Sequence, residues 1–298
     1  MSKPAIGFIG LGLMGAAMVK RLQDLNYDLT VLANRSRANV DAAIARGASE
    51  AASAREVAER SDIIMLCMDT SASVEGRMLG DDGIVAGLKH GATVIDFGTS
   101  LPASTRMLGE RVAAAGGTYL DAPLGRTPAH AEDGLLNIMA AGDRDAFEKV
   151  EPVLKDLGEN VFHLGALGAG HTTKLLNNFF GMTVANAMAE AFAMADVQGV
   201  DRKVVYDVMA AGPLHSGMMD FVKGYAVDGN PAQLAFAIKN AKKDVGYYRQ
   251  MAEDAGIQSI MSQCADTALG TAQDDGRGDD MVSQMVDFFA DRFNAKSG

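Results

Sequence analysis

Three glycines near the start of the chain have a spacing that suits phosphate binding. Gly10, Gly12 and Gly15 follow the apolar run AIGFI and precede a helical pattern. Glycines so placed allow a tight turn, close approach to a pyrophosphate and close packing of the helix on the strand. The helix N-terminus then offers unpaired N–H groups to the phosphates. A second strand pattern, DLTVLA, follows where the motif requires it, so the spacing predicts a dinucleotide-binding loop.

The end of that second predicted strand indicates which nicotinamide cofactor is bound. NAD-binding chains usually carry an acidic residue about 20 residues beyond the last glycine, whereas an arginine there accommodates the 2′-phosphate of NADP. This chain has Asn34, Arg35 and Ser36 at that place and no carboxylate. An arginine that only keeps a helix start soluble is the competing interpretation. The pattern favours NADP(H), with NAD(H) kept as an alternative.

Arg126 stands just beyond another predicted strand, in the segment DAPLGRTPAH. In open α/β sheets, ligands bind at the edge formed by the carboxyl ends of the strands. A guanidinium there can clamp an oxyanion with paired N–H bonds, and Thr127 adds a hydroxyl donor beside it. A solvated loop arginine is the alternative. We predict an anion clamp and leave the anion open.

Strand and helix patterns alternate through the first half of the chain. The strand patterns are AIGFI, DLTVLA, DIIMLC, ATVIDF, TYLDAP, LNIMAA and VFHL. From about Gly165 the strand patterns almost vanish, and HTTKLLNNFFGMTVANAMAEAFAMADVQG predicts one long helix. The alternation predicts an α/β fold, a Rossmann-type doubly wound parallel sheet over residues 1–165. An all-helical substrate and oligomerisation domain over residues 166–298 follows, joined by the long interdomain helix.

The composition argues against several classes of protein. A net charge of −11 makes general affinity for nucleic acid or an anionic membrane unfavourable, because both need a basic surface. No apolar stretch reaches the ~20 residues that span a bilayer, and the N-terminus lacks a signal-peptide pattern. Cys67 and Cys264 form neither a disulfide framework nor a metal-ligand spacing. We therefore expect a cytoplasmic protein without a metal site.

Four further segments resemble the β-hydroxyacid dehydrogenase family, and the resemblance covers almost the whole chain. These segments are DFGTSLP, DAPLGRTPAHAEDGLLNIMAAG, GAGHTTKLLNN and KKDVGYY. The resemblance implies hydride transfer between a nicotinamide and the alcohol carbon of a small hydroxy acid. It assigns Lys174 as the catalytic lysine and Asn178 as the asparagine beside it. Residues at i and i+4 share one helix face, and the helix dipole should lower the pKa of Lys174, as acid–base work requires.

The chain departs from the family pattern at two places. Gly125, Arg126 and Thr127 replace the family's Ser-Gly-Gly, and Gly98 stands where the family loop has a serine. Because those hydroxyls are missing, we expect Gly125, Arg126, Thr127 and Asn177 to bind the substrate. The triplet GRT and Asn177 resemble the sulfolactaldehyde reductases, where arginine meets a sulfonate. The carboxylate of a semialdehyde would suit Arg126 equally well.

The remaining predictions concern the cofactor, the assembly and the reaction. The expected cofactor-binding residues are Gly10, Leu11, Gly12, Met14, Gly15, Asn34, Arg35, Ser36, Cys67, Met68, Thr99 and Lys243. Faces rich in Ala, Met and Phe in the second half predict a homodimer or homotetramer. We predict an NADPH-dependent reductase or dehydrogenase that interconverts a small anionic aldehyde acid, of semialdehyde or sulfolactaldehyde type, with its hydroxy acid.

Two alternatives belong to other functional classes. Imine reductases share the glycine loop, an NADP-type segment and a helical second domain, but they lack the pair Lys174 and Asn178. A non-catalytic NADP-binding module would not need that pair at all. The physiological direction, the stereochemistry and the identity of the acid stay open.

Overall fold

A parallel six-stranded sheet forms the centre of the first part of the chain. The computed structural model describes residues 3–34 and 37–294. The strands of the sheet are β1 (Ile6–Ile9), β2 (Leu29–Leu32), β3 (Ser49–Ala51), β4 (Ile63–Leu66), β5 (Thr93–Asp96) and β6 (Thr118–Asp121). Their order is β3-β2-β1-β4-β5-β6, and every neighbouring pair is parallel. This is the Rossmann order, in which the direction of winding reverses between β1 and β4.

Helices cover both faces of this sheet, as its apolar strands require. They are α1 (Leu13–Asp24), α2 (Ala38–Ala45), α3 (Ala54–Arg60), α4 (Ser71–Met78), α5 (Ile84–Gly87), α6 (Pro102–Ala114), α7 (Pro128–Glu132) and α8 (Arg144–Leu157). Neighbouring strand residues point to opposite faces, so Phe8 and Met65 lie in one apolar cluster and Ile9 and Ile64 in another. All residues of β1, β2, β4 and β5 are buried, which explains their continuous apolar runs.

A second, three-stranded sheet lies beyond β6 along the chain. Its strands are β7 (Leu124–Gly125), β8 (Leu136–Ala140) and β9 (Gly158–His163), with β8 pairing antiparallel to β7 and parallel to β9. The predicted strands LNIMAA and VFHL are confirmed, but they belong to this sheet and not to the parallel one. Strand β3 was not predicted, because two of its three residues are exposed and no apolar run marks it.

The described part of the remaining chain is helical, as predicted. Its helices are α9 (Ala169–Val197), α10 (Arg202–Ala210), α11 (Gly217–Ala226), α12 (Ile238–Asp254), α13 (Ile260–Ala272) and α14 (Met285–Asn294). Short 3₁₀ turns occur at Pro231–Leu234 and Val282–Gln284, and a π turn at Gln273–Arg277. Phe192, Met219, Val245 and Leu269 belong to one buried apolar cluster that joins these helices.

The chain divides into two compact units, Met1–Lys174 and Leu175–Gly298. Helix α9 begins in the first unit and continues into the second, so it is the long helix that the sequence predicted between the two halves. Within the two described ranges, none of the helices is long and apolar enough to cross a membrane.

Candidate functional site

Each of the three glycines of the first loop occupies its position for a different structural reason. Gly10 has a φ of 101°, and an added Cβ would lie 2.4 Å from the Cys67 carbonyl oxygen. At Gly15 an added Cβ would lie 2.0 Å from the Gly10 carbonyl oxygen, so helix α1 packs on β1 without room for a side chain. At Gly12, the N-cap of α1, an added Cβ would have no heavy atom within 4 Å apart from its chain neighbours, and no side chain caps the helix. The open space and uncapped N–H groups at Gly12 fit a pyrophosphate.

Most of the predicted cofactor residues in this unit surround one cleft of about 240 Å³. Its lining includes Gly10, Leu11, Gly12, Asn34, Cys67 and Met68. Met14 is half-buried in α1 and packs against the apolar core. Burial raises the pKa of the Cys67 thiol to about 12, so this side chain is a neutral wall of the cleft at ordinary pH. The residues present therefore fit a dinucleotide.

A cation that the sequence analysis missed stands at the end of β2. Nη2 of Arg77, on α4, donates a 3.0 Å hydrogen bond to Oδ1 of Asn34. Arg35 and Ser36 lie outside the described residues. Arg37 is occupied elsewhere, because its guanidinium pairs with Asp41 and Glu50. Arg77 is 43 residues from Asn34, so only the strand order, in which β1 alone separates β2 from β4, brings the two together.

The loop after β5 is organised by a buried carboxylate. Oδ1 of Asp96 accepts from the Gly98 N–H at 2.9 Å, and Oδ2 accepts from the Ser100 hydroxyl at 2.9 Å. An added Cβ at Gly98 would lie 2.9 Å from the Met68 carbonyl oxygen and 3.0 Å from Oδ1 of Asp96. A side chain at position 98 would therefore require the Met68 backbone or the Asp96 carboxylate to move. Thr99, between these residues, is half-buried.

The Arg126 loop holds its arginine in an unusual backbone conformation. Arg126 has a φ of 76°, the left-handed region that disfavours residues with a side chain by ~1 kcal/mol. Its Nη1 donates to the Leu135 carbonyl at 2.6 Å and to Oε2 of Glu159 at 2.5 Å, which leaves the Nε–Nη2 edge for other acceptors. An added Cβ at Gly125 would lie 3.2 Å from Cβ of Asn137, so the neighbouring strand restricts that position to a small residue.

Thr127 already has a partner within the same loop. Its hydroxyl lies 2.7 Å from Nδ1 of His130, one turn along α7. The hydroxyl is exposed, and it has a single hydrogen to donate. It can donate that hydrogen to a ligand only when Nδ1 of His130 is protonated and is itself the donor in the bond between them.

The start of α9 is fixed by a carboxylate that the sequence analysis also missed. Asp121, at the end of β6, accepts from the Gly168 N–H at 2.8 Å and from the His171 N–H at 2.7 Å. Burial raises the pKa of Asp121, while His171 and the two N–H bonds oppose that change. An added Cβ at Gly170 would lie 2.3 Å from the Met139 carbonyl oxygen, so the helix starts in close contact with β8. Lys174 follows one turn after Gly170, on a half-buried position.

Asn178 follows Lys174 by one helical turn, and its side chain is buried and oriented by two neighbours. Its Nδ2 donates a 2.6 Å hydrogen bond to Oδ2 of Asp244, on α12. Its Oδ1 accepts from Nδ2 of Asn177 at 3.1 Å. The other oxygen of Asp244 lies 3.0 Å from Nζ of Lys243. Asp244 thus connects two predicted site residues, Asn178 and Lys243.

Among the described residues, no group of three or more His, Cys, Asp or Glu side chains is arranged to hold a metal ion.

Comparison with known proteins agrees with this organisation. A family model described as the NAD binding domain of 6-phosphogluconate dehydrogenase matches residues 5–165. A second, described as NAD-binding of NADP-dependent 3-hydroxyisobutyrate dehydrogenase, matches residues 168–289. The chain is 37% identical over 204 residues to an NAD-dependent L-serine dehydrogenase of Pseudomonas aeruginosa, covering 68% of each chain.

Two further relatives match over nearly the full length. A glyoxylate/succinic semialdehyde reductase of Arabidopsis thaliana is 27% identical over 282 residues, which are 95% of this chain and 97% of that one. The solved structure of a 3-hydroxyisobutyrate dehydrogenase from Salmonella typhimurium has a TM-score of 0.82 at 26% identity, over 96% of this chain and 100% of that chain.

Proposed function

The chain belongs to the β-hydroxyacid dehydrogenase family of oxidoreductases, and within that family we propose that it interconverts a small aldehyde acid and its hydroxy acid by NADPH-dependent hydride transfer. The observation that carries the proposal is the sequence of elements at the start of α9. A glycine turn fixed by Asp121 is followed one turn later by Lys174 and one further turn later by Asn178. We assign the cofactor-binding domain to residues 1–165, which also carry Arg126 and Thr127, and the helical substrate and assembly domain to residues 166–298.

The proposed roles follow from the chemistry of these side chains. A bound nicotinamide supplies or accepts the hydride. The Lys174 ammonium donates a proton to the carbonyl oxygen during reduction and, as the amine, removes it from the hydroxyl during oxidation. Asn178 holds the same oxygen through its amide. The hydrogen bond to Asp244 orients this amide before the reaction, so the reaction step spends no free energy on reorienting it.

The proposed preference for NADP(H) rests on the charges at the end of β2. Asn34 takes the place of the carboxylate that would repel a 2′-phosphate, and the Arg77 guanidinium lies beside it. One relative is described as NAD-dependent and one family model as NADP-dependent, so NAD(H) remains the alternative to be measured.

The proposed substrate is a small acid whose anionic group is held by Arg126, Thr127 and Asn177. The Nε–Nη2 edge of Arg126 offers parallel donors to a carboxylate or a sulfonate. A semialdehyde and a sulfolactaldehyde both place such an anion a short distance from a reducible carbonyl. The named relatives include a glyoxylate/succinic semialdehyde reductase, and this favours a carboxylate.

Initial rates on a panel of substrates test the proposal. NADPH and NADH oxidation is measured with succinic, methylmalonate and tartronate semialdehydes, glyoxylate, sulfolactaldehyde and a cyclic imine. We expect at least one aldehyde acid to turn over, and Lys174→Ala to lower that turnover by about 10²- to 10⁴-fold with cofactor binding retained. Lys239→Ala, which removes an exposed α12 lysine paired with Asp279, is the matched control.

Three results would contradict the proposal. Unchanged turnover in Lys174→Ala would remove the assigned acid–base group. Turnover of the imine alone would replace it with imine reduction, and cofactor binding without turnover of any substrate would indicate a binding module.

We also propose that the protein is cytoplasmic and forms a homodimer or homotetramer. Light scattering measures the mass in solution and tests the assembly.

A further inference from the structure

An imidazole lies completely buried at the carboxyl ends of β5 and β6, outside the roles assigned so far. The side chains of His171 and Asp121 are fully buried, and that of Asp96 is 1% exposed. Nε2 of His171 lies 3.7 Å from Oδ2 of Asp96, and Nδ1 lies 3.9 Å from Oδ2 of Asp121. Polar groups buried this deeply are costly unless they are hydrogen-bonded or paired, and a network of such groups holds the surrounding segments in one arrangement.

The hydrogen bonds around the ring define its orientation. Thr105, on α6, donates its hydroxyl to the Leu101 carbonyl at 3.1 Å, as expected for a threonine in a helix. The same oxygen lies 2.7 Å from Nδ1 of His171, so it accepts the Nδ1–H. Nε2 then faces Asp96 without a hydrogen-bond partner among the described residues. The ring is therefore held at one nitrogen and directed at a carboxylate by the other.

The two carboxylates beside the ring organise two different segments. Asp96 fixes the loop that contains Thr99, through the Gly98 N–H and the Ser100 hydroxyl. Asp121 fixes the start of α9, through the N–H groups of Gly168 and of His171 itself. The Tyr119 hydroxyl also points at Asp96, at 3.4 Å, and burial near both carboxylates raises the pKa of that hydroxyl. His171 thus stands where the two segments meet.

We propose that His171 is a positioning residue, whose buried contacts with Thr105 and between Asp96 and Asp121 hold the first turn of α9 so that Lys174 is correctly placed. This inference rests on the proposed function of Lys174. His171 precedes Lys174 by three residues, so the two lie on adjacent turns of one helix face. A displacement of about 1 Å at a reacting group can cost ~100-fold in rate, so a small shift of this turn is enough to matter.

Four variants separate positioning from packing. His171→Leu fills the space but makes no hydrogen bond. Thr105→Val removes the acceptor of the Nδ1–H together with the hydroxyl bond to the Leu101 carbonyl. His171→Asn keeps a donor near the Nδ1 position, and Thr105→Ser keeps the acceptor. For each variant we measure kcat, KM for cofactor and substrate, the melting temperature, and hydrogen exchange of the peptides that cover residues 168–175.

We expect His171→Leu and Thr105→Val to lower kcat by about 10- to 100-fold, with KM for the cofactor unchanged. Exchange of residues 168–175 should become faster in the same variants. His171→Asn and Thr105→Ser should recover most of both losses. A purely structural role would lower the melting temperature while kcat of the folded enzyme stayed the same.

Several outcomes would overturn the proposal. These are unchanged kcat in His171→Leu and Thr105→Val, faster exchange without loss of kcat, or loss of kcat without faster exchange. If His171→Leu does not fold, Thr105→Val and His171→Asn decide the question. Lys174→Ala is measured in parallel. If that variant is active, the proposed function itself is contradicted. If Lys174→Ala is inactive while His171→Leu is fully active, only the present inference is contradicted.

Discussion

The side-chain amide of Asn178 donates a 2.6 Å hydrogen bond to the carboxylate of Asp244, and both side chains are buried. The bond joins α9 to α12, and a stacked pair of rings, Phe179 and Tyr248, lies beside it with centroids 4.1 Å apart. The aromatic contact is a second link between the same two helices, and the hydrogen bond orients the asparagine amide.

Asp244→Ala should therefore affect both stability and catalysis. The variant leaves a buried N–H of Asn178 without an acceptor, so we expect the free energy of unfolding to fall by about 1–3 kcal/mol. We also expect kcat to fall, because the amide is free to rotate. Urea denaturation and steady-state kinetics measure the two effects. Asp287→Ala, which removes the acceptor of the Tyr225 hydroxyl in the same unit, should lower stability only. An unchanged kcat in Asp244→Ala would show that the amide needs no orienting partner.

The glycine loop offers a pair of substitutions with opposite expected effects. Gly12→Ala places a methyl group in open space, so we expect an unchanged melting temperature and a rise of about tenfold in the Kd of NADPH, since the methyl obstructs the pyrophosphate. Gly15→Ala forces a methyl against the Gly10 carbonyl and should lower stability by about 1–3 kcal/mol. Differential scanning fluorimetry measures the melting temperature of both variants, and a fluorescence titration measures their Kd for NADPH. Undiminished NADPH affinity in Gly12→Ala would place the pyrophosphate elsewhere.

Arg77→Ala tests the cation beside Asn34. A charged hydrogen bond contributes about 1.5–3 kcal/mol, so we expect the KM for NADPH to rise at least about tenfold while the KM for NADH stays nearly constant. Arg60→Ala is a suitable control, because Arg60 is an exposed arginine on α3 that pairs with Glu56 of its own helix. Equal changes for the two cofactors would mean that Arg77 supports the fold of the cleft and does not contact the 2′-phosphate.

The ion pair of Arg126 with Glu159 leads to a paired experiment. If the guanidinium binds the acid group of the substrate, Arg126→Ala should raise the substrate KM by about 10- to 100-fold. Glu159→Gln keeps the shape of the side chain but removes the competing charge, so it should lower the same KM. Both are measured with the best substrate of the panel and saturating cofactor. An arginine that only ties its loop to β9 would give a less stable Arg126→Ala enzyme with an unchanged KM.

The fold was predictable because its signals are local. The buried strands β1, β2, β4 and β5 produce continuous apolar runs, and the glycines at 10, 12 and 15 mark the turn between β1 and α1. Strand β3 escaped prediction because its residues are mostly exposed. The strands β8 and β9 were found as elements, but an apolar run does not reveal which sheet a strand will join.

The sequence by itself determined the alternation of strands and helices along the first half of the chain, and the family. It also predicts the pair Lys174 and Asn178, because that pair depends only on a spacing of four residues within one helix. Only the tertiary structure decided how the site is supported. The contacts of Arg77 with Asn34, of Asp121 with His171 and of Asp244 with Asn178 span 43, 50 and 66 residues. Polar side chains at such separations follow no periodic pattern, and their partners are fixed only when the strand order and the helix packing bring them within hydrogen-bond distance.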